Sequence, residues 1–230
     1  MRLINVLLSL AALALATASS LHAEENVNAA IYIVTYFDVA PGAAAQSAAI
    51  ARDYAAASRK EEGNAGFEVF EEIARPDRFA ILGAWRDKQA AEAHNAAPSV
   101  SAFRDKLHPL MISGFGVRPH SGLSVAPPNA QFPQDAVFVL THVDVFPANK
   151  DRAVELVKAQ PDAARKAEGN LRYDVLQWDG HLNHFTLVEV WRDRKAFDAN
   201  ITAAHNKEFR EKVTPLEGAL YDERLYQAVR

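Results

Sequence analysis

The sequence predicts an α+β fold in which two tandem β-α-β-β-α-β repeats pack sheet to sheet into one barrel within a single chain. The first observation behind this is a stretch that occurs twice, RFAILGAWRDKQAAEAHN from Arg78 and HFTLVEVWRDRKAFDAN from His184. In each copy an alternating apolar run of strand type ends on Trp-Arg-Asp and leads into an Ala-rich run whose first turn the Asp can cap. The second observation is a constant register. Trp85 and Trp191 are 191 − 85 = 106 residues apart, and the same offset pairs Thr35 with Thr141, Asp38 with Asp144, Glu62-Gly63-Asn64 with Glu168-Gly169-Asn170, and Pro109-Leu110 with Pro215-Leu216. No insertion or deletion is needed, so one domain has been duplicated. The third is that a four-stranded sheet with helices on one side leaves its other face bare and apolar. Packing the two bare faces against each other covers both.

The first residues precede the repeats. Arg2 is positive, Leu3–Ala16 is an apolar run shorter than the about 20 residues a spanning helix needs, and small residues lead to Leu21-His22-Ala23. Residues 1–23 therefore read as a secretory signal cut after Ala23, with Ala18 as the second choice, and the mature chain is expected to be periplasmic or secreted, with no membrane attachment. The chain has no cysteine, which excludes disulfides, thiolate metal sites and cysteine nucleophiles. Its formal charge of −4 is spread without basic clusters, so nucleic acid and anionic membranes are not expected partners. A small hydrophobic or aromatic molecule, or a second copy of the chain, is.

The first repeat occupies residues 24–123. Ile31–Val39 is an apolar, β-branched strand ended by Ala40-Pro41-Gly42, and a helix follows over Ala43–Glu61 until Gly63-Asn64, which can take the left-handed backbone a helix end needs. Ala65–Ile73 alternates as a second strand, Arg75-Pro76-Asp77 reads as a turn, and Arg78–Arg86 is the third strand. A helix from Asp87 is interrupted at Pro98, a shorter one runs over Ser99–Leu107, and Gly114–Leu123 is the fourth strand. This order is the ferredoxin-like unit. Residues 124–135, with three prolines and no periodicity, form an extended linker. The second repeat, 136–230, has the same order; Asp179-Gly180 makes its hairpin turn, and Pro161 is expected to kink or split its long helix.

With these motifs placed, the chain resembles the antibiotic biosynthesis monooxygenase family of dimeric α+β barrels. The resemblance lies in EGNLRYDVLQ, HFTLVEVWRDRKAFDAN and AAHNKEF of the second copy and, more loosely, in EGNAGFEVF, WRDKQAAEAH and SAF of the first. It implies that the sheet face toward the helices lines a substrate cleft in each half. Strand parity puts Phe185, Leu187, Glu189 and Trp191 on that face, and Phe79, Ile81 and Trp85 on its counterpart. The family's Glu-x-Trp acid is Glu189 in the second copy, but Gly83 stands there in the first.

Glu189 interrupts an apolar strand, and burial should push its carboxyl toward the neutral form, which suits a proton donor or acceptor in a dry cleft. His94 faces inward from the helix after Trp85, where the second copy has Asn200. His205 matches the family's second helix histidine, where the first copy has Ser99. The candidate catalytic set is thus Glu189, Trp191, His205, Asn200, Trp85 and His94, the half with the acid being expected to do most of the work. Core packing of the tryptophans and hydrogen-bonded helix histidines is the plainer alternative. In the haem-degrading branch of the family an Asn on the first strand joins this Trp and a helix His. Thr35 and Thr141 stand there instead, which counts against haem degradation, while the Trp85–His94 spacing keeps haem binding as the alternative to catalysis. His181 and His184 flank a hairpin turn without a carboxylate at ligand spacing, so no metal is assigned, and His142 and Tyr36 point into the barrel as structural residues. There is no phosphate loop or hydrolase nucleophile elbow. The resemblance and these residues together suggest a cofactor-independent monooxygenase acting on a quinol or other electron-rich aromatic, or else a non-catalytic binding barrel.

Overall fold

In the computed structural model, which describes residues 30–127 and 131–230, the chain forms one closed eight-stranded antiparallel barrel. The signal segment and its cut after Ala23 or Ala18 lie outside the described residues. The first repeat contributes β1 (Ile31–Asp38), α1 (Ala44–Ser58), β2 (Asn64–Glu72), β3 (Arg75–Trp85), α2 (Lys88–Asn95), α3 (Pro98–Leu107) and β4 (Gly116–Ser124). The second contributes β5 (Val137–Asp144), α4 (Lys150–Ala164), β6 (Asn170–Trp178), β7 (His184–Trp191), α5 (Arg194–Thr202), α6 (Ala204–Val213) and β8 (Asp222–Ala228). Around the barrel the order is β1-β3-β2-β8-β5-β7-β6-β4. Each repeat forms its own four-stranded sheet, and the two are joined where β2 meets β8 and β4 meets β6, so no edge is left open.

Period-two alternation sorts the side chains. Tyr32, Val34, Phe70, Leu82, Phe138, Leu140, Val188 and Tyr226 fill the barrel, while Phe37, Phe79, Ile81 and Trp85 face α1–α3 and Phe185, Leu187 and Tyr173 face the second helical layer. Across the seam Arg172 joins Glu68 of the other repeat at 2.7 Å and also binds the fully buried Asp174.

The duplicated Glu-Gly-Asn has a structural reason. Among the described residues Gly63 and Gly169 are the positive-φ residues, at +78° and +82°. Their carbonyls accept from Arg86 N and Arg192 N at 2.8 and 2.7 Å, locking the end of each tryptophan strand. A Cβ on either glycine would lie 2.5 Å from Ala90 or Ala196. The two Asp residues cap as expected, Oδ1 of Asp87 and of Asp193 each accepting from a backbone N–H at 2.8 Å.

Two local expectations are corrected. The chain reverses at Ile73-Ala74, and Arg75-Pro76-Asp77 belongs to β3. Pro76 is tolerated because the β2–β3 register jumps from Glu71↔Phe79 to Glu72↔Arg75 and β1 pairs only from Arg78 onward, so no ladder N–H is required there. Helix α4 runs unbroken through Pro161. The proline removes one hydrogen bond in the last turn, and its neighbours Val157 and Ala164 are fully buried against the sheet, which outweighs that single loss.

Candidate functional site

The first half brings together a chain of polar groups against an indole. β3 delivers Trp85, fully buried, to the start of α2, and His94, in the last turn of that helix, stacks on it with ring centroids 4.3 Å apart. Nδ1 of His94 lies 2.7 Å from Glu61 Oε2, and Nε2 lies 2.9 Å from Tyr54 Oη. A carboxylate only accepts, so Nδ1 carries the proton and Nε2 offers its lone pair to the Tyr54 hydroxyl. Ser99 Oγ donates to the other oxygen of Glu61 at 2.9 Å. Burial raises the Tyr54 hydroxyl well above its ordinary range, and Glu61 adds to this, so no tyrosinate exists at rest. Trp85, His94 and Tyr54 line a cavity of about 40 Å³ with Gly83, Phe67 and Phe103, and the exposed side chains of Asn95, Arg104 and Val117 form its rim. That volume holds no more than about three waters. Trp85 Nε1 is buried in this lining without a hydrogen-bond partner.

The second half is built on the same strands and differs at its centre. Glu189 is 3% exposed and accepts from Trp191 Nε1 at 2.8 Å. Burial pushes its carboxyl up to about 8, against the opposing pull of that indole N–H. Asn200 is buried and its Oδ1 lies 3.0 Å from His205 Nε2. The six expected residues thus fall into three groups: Trp85 with His94, Trp191 with Glu189, and Asn200 with His205. A larger cavity of about 940 Å³ opens at the barrel mouth between Tyr32, Phe70, Phe138, Arg172 and the linker residues Val125 and Phe132. Neither cavity is lined by Glu189, Trp191, Asn200 or His205.

Sequence reasoning missed Tyr54 and Glu61. Tyr54 lies in the last turns of α1 and Glu61 just past its end, and the second copy has Gln160 and Ala167 in their places. That loss of symmetry, the same signal that marked His94 against Asn200, would have found them. His120, His142 and His184 have partners inside the barrel or at its end. His142 meets Tyr36 edge-on at 5.3 Å, as expected, and lies near Arg118; burial pushes it down to about 3, and His120 to about 4, so both are neutral. His184 Nδ1 lies 3.2 Å from Asp144 Oδ1, a carboxylate that the sequence spacing around the hairpin did not reveal. Among the described residues no cluster of three or more ligating side chains able to hold a metal occurs. A porphyrin does not fit the first cleft as it stands. The cavity is far too small, and Nε2 of His94, the nitrogen facing it, is held by Tyr54.

Two ferredoxin-like repeats sharing one closed barrel, each presenting a buried strand tryptophan to a helical cleft, define the class of single-chain α+β barrels. More narrowly, the chain belongs to the antibiotic biosynthesis monooxygenase family, whose model matches it twice, over residues 30–106 and 136–212. It is 30% identical over 73 residues to YcnE of Bacillus subtilis (strain 168), which is provisionally named a monooxygenase; the match covers 32% of this chain and 77% of the relative. Two solved structures carry the whole barrel fold. One, from Fusobacterium nucleatum, superposes with a TM-score of 0.80 at 17% identity over 88% of this chain and 93% of its own. The other, from Lactobacillus acidophilus NCFM, has a TM-score of 0.73 at 16% identity over 88% and 95%. Both are provisionally named monooxygenases, and the likeness is one of fold.

Proposed function

We propose that this protein is an exported, cofactor-independent monooxygenase that oxidises a quinol or other electron-rich phenol in the cleft of its first half. Membership of the family and the name of the Bacillus subtilis relative support a monooxygenase-like activity. The choice of half rests on one observation. Only beside Trp85 do a cavity, an unpartnered buried indole N–H and the Glu61–His94–Tyr54 relay meet.

In this reading the ring enters against Trp85 and its hydroxyl meets Tyr54. As the substrate O–H proton passes to Tyr54 Oη, the Tyr54 proton passes to His94 Nε2, and the imidazolium is stabilised by Glu61 and by the indole face it stacks on. The phenolate then gives an electron to O2, which the neutral phenol does far less readily. One oxygen atom enters the product and the other leaves as water, all the electrons coming from the substrate. The apolar walls keep the charged intermediates from bulk water. The acid-bearing half, favoured on sequence grounds, is not the working half in this proposal, because Glu189 is already engaged by Trp191.

The test is O2 uptake by the mature chain across a panel of quinols. His94→Gln should lower kcat by about 10²–10⁴-fold, the usual worth of a positioned base, with a shifted pH profile. Glu189→Gln should retain turnover. Full activity in His94→Gln, or its loss in Glu189→Gln, would return the chemistry to the second half. We propose export on the leader alone; the intact mass of the exported protein should begin at Glu24, or at Ser19 if Ala18 is the cut.

A further inference from the structure

We infer that the second cleft is closed by its own side chain, Glu189, and that of the two helical clefts the one beside Trp85 is the ligand seat, built for an oxygen that accepts a hydrogen bond from the indole N–H. This rests on the proposed function only in naming the ring compound that fills the seat.

The inference comes from comparing the halves atom by atom across the duplication. Both strand tryptophans are fully buried and both sit at the start of a helix capped by Asp. Trp191 Nε1 donates to Glu189 Oε2, whereas Trp85 Nε1 is buried with no partner. A buried unpaired N–H costs about 1–3 kcal/mol, and native proteins retain few of them. The difference in the indole's partner comes from one residue, two positions before each tryptophan, Gly83 against Glu189. A Cβ placed on Gly83 would lie 3.1 Å from Trp85 Nε1 and 3.3 Å from the Phe67 ring, so a side chain there would grow directly against the indole nitrogen, as that of Glu189 does in the other half. The carboxyl of Glu189 therefore marks where a ligand oxygen belongs in the first half.

Two more substitutions close the second cleft. Phe67 and Phe115 of the first lining become Tyr173 and Tyr221, both adding a hydroxyl. The relay is absent there as well, because Gln160 and Ala167 replace Tyr54 and Glu61. A cleft that has lost its base and gained an internal acceptor has no use for a ligand. The first cleft keeps a donor at Trp85 and a base relay ending at Tyr54, so its ligand carries an acceptor oxygen, carbonyl or phenolate, for the indole and a hydroxyl for the tyrosine.

The experiment uses 4-hydroxyacetophenone, a redox-inert single ring with one phenolic O–H and one carbonyl, titrated into the full chain while the indole N–H signals are followed by 15N–1H NMR. Trp85→Phe and Trp191→Phe assign the signals. The Trp85 signal should move with one equivalent bound, and the Trp191 signal should not. Gly83→Glu should weaken binding at least tenfold and shift the Trp85 signal toward the position of Trp191 without any ligand. Glu189→Gly should make the Trp191 signal respond and raise the stoichiometry toward two; should that variant fail to fold, the wild-type stoichiometry and Gly83→Glu still decide. A wild-type protein whose Trp191 signal titrates, or a Gly83→Glu variant that binds as well as the parent, overturns the inference. Binding at Trp85 without quinol-dependent O2 uptake would sink the monooxygenase reading and leave this one intact; O2 uptake with a silent Trp85 signal would do the opposite.

Discussion

Replacing Glu189 with Gln should make the protein more stable, and only above the acidic range. The carboxyl is 3% exposed and held up to about 8 from an ordinary value of 4.5, chiefly by burial. Because the folded value is the higher one, the folded chain binds a proton that the unfolded chain has released throughout the window from 4.5 to about 8. Stability therefore falls as pH rises through that window. At 1.36 kcal/mol for each unit of difference, the loss approaches about 5 kcal/mol by pH 8, with local rearrangement reducing it. Gln keeps the shape and the acceptor for Trp191 Nε1 and removes the titration. Wild type and Glu189→Gln should thus match near pH 4.5 and separate by several kcal/mol at pH 8. For a chain of this length that is roughly 10–20 °C in Tm. Chemical denaturation of both proteins at half-unit pH steps measures it. A stability difference that stays flat between pH 4.5 and 8, or one that favours wild type at pH 8, would refute the assignment of Glu189 as a buried, protonated acid.

Three further outcomes follow from the packing. Arg172→Ala removes the cation shared by Glu68 and the fully buried Asp174; since Asp174 keeps the Ala126 N–H and a more distant Arg165, the cost should fall near about 3 kcal/mol, the low end for a broken buried pair, read by urea denaturation. Gly63→Ala forces a left-handed φ of +78° on a side chain whose Cβ would lie 2.5 Å from Ala90, and thermal unfolding should show a loss greater than about 1 kcal/mol, where the same change at a compatible backbone would stabilise. Residues 30–124 expressed alone uncover Val34, Phe70 and Leu82 and the free edges of β2 and β4, so sedimentation should find dimers or aggregates, and a cooperative monomer would contradict the shared core.

The fold was legible because its signals are local and doubled. Trp-Arg-Asp, Glu-Gly-Asn and the alternating runs each report a backbone need, a cap, a left-handed residue or a two-faced strand, and the offset of 106 repeats every one of them. Pro76 and Pro161 misled for the opposite reason: a proline's local effect depends on whether its missing N–H has a partner to lose, and that is set by the neighbouring strand or by the burial of the helix. The site was only half legible. Parity alone sends Trp85, Trp191 and Glu189 to the helical face, and helix register turns His94 inward, since these follow from backbone periods of two and 3.6. What Glu189 does with its carboxyl was beyond that reasoning, because an acid in an apolar strand is equally a base waiting for substrate or a group already satisfied. Only the folded chain decides, by bringing the Trp191 N–H within 2.8 Å of it while leaving the Trp85 N–H empty beside Gly83. Tyr54, Glu61 and Ser99 likewise converge on His94 from separate helices and the loop between α1 and β2, at separations of 33 to 40 residues from their partners or one another. Contacts across such distances are made by packing rather than by local sequence, so the elements were written in the chain while the charge, the partners and the free space of the cleft were settled by how those elements close on one another.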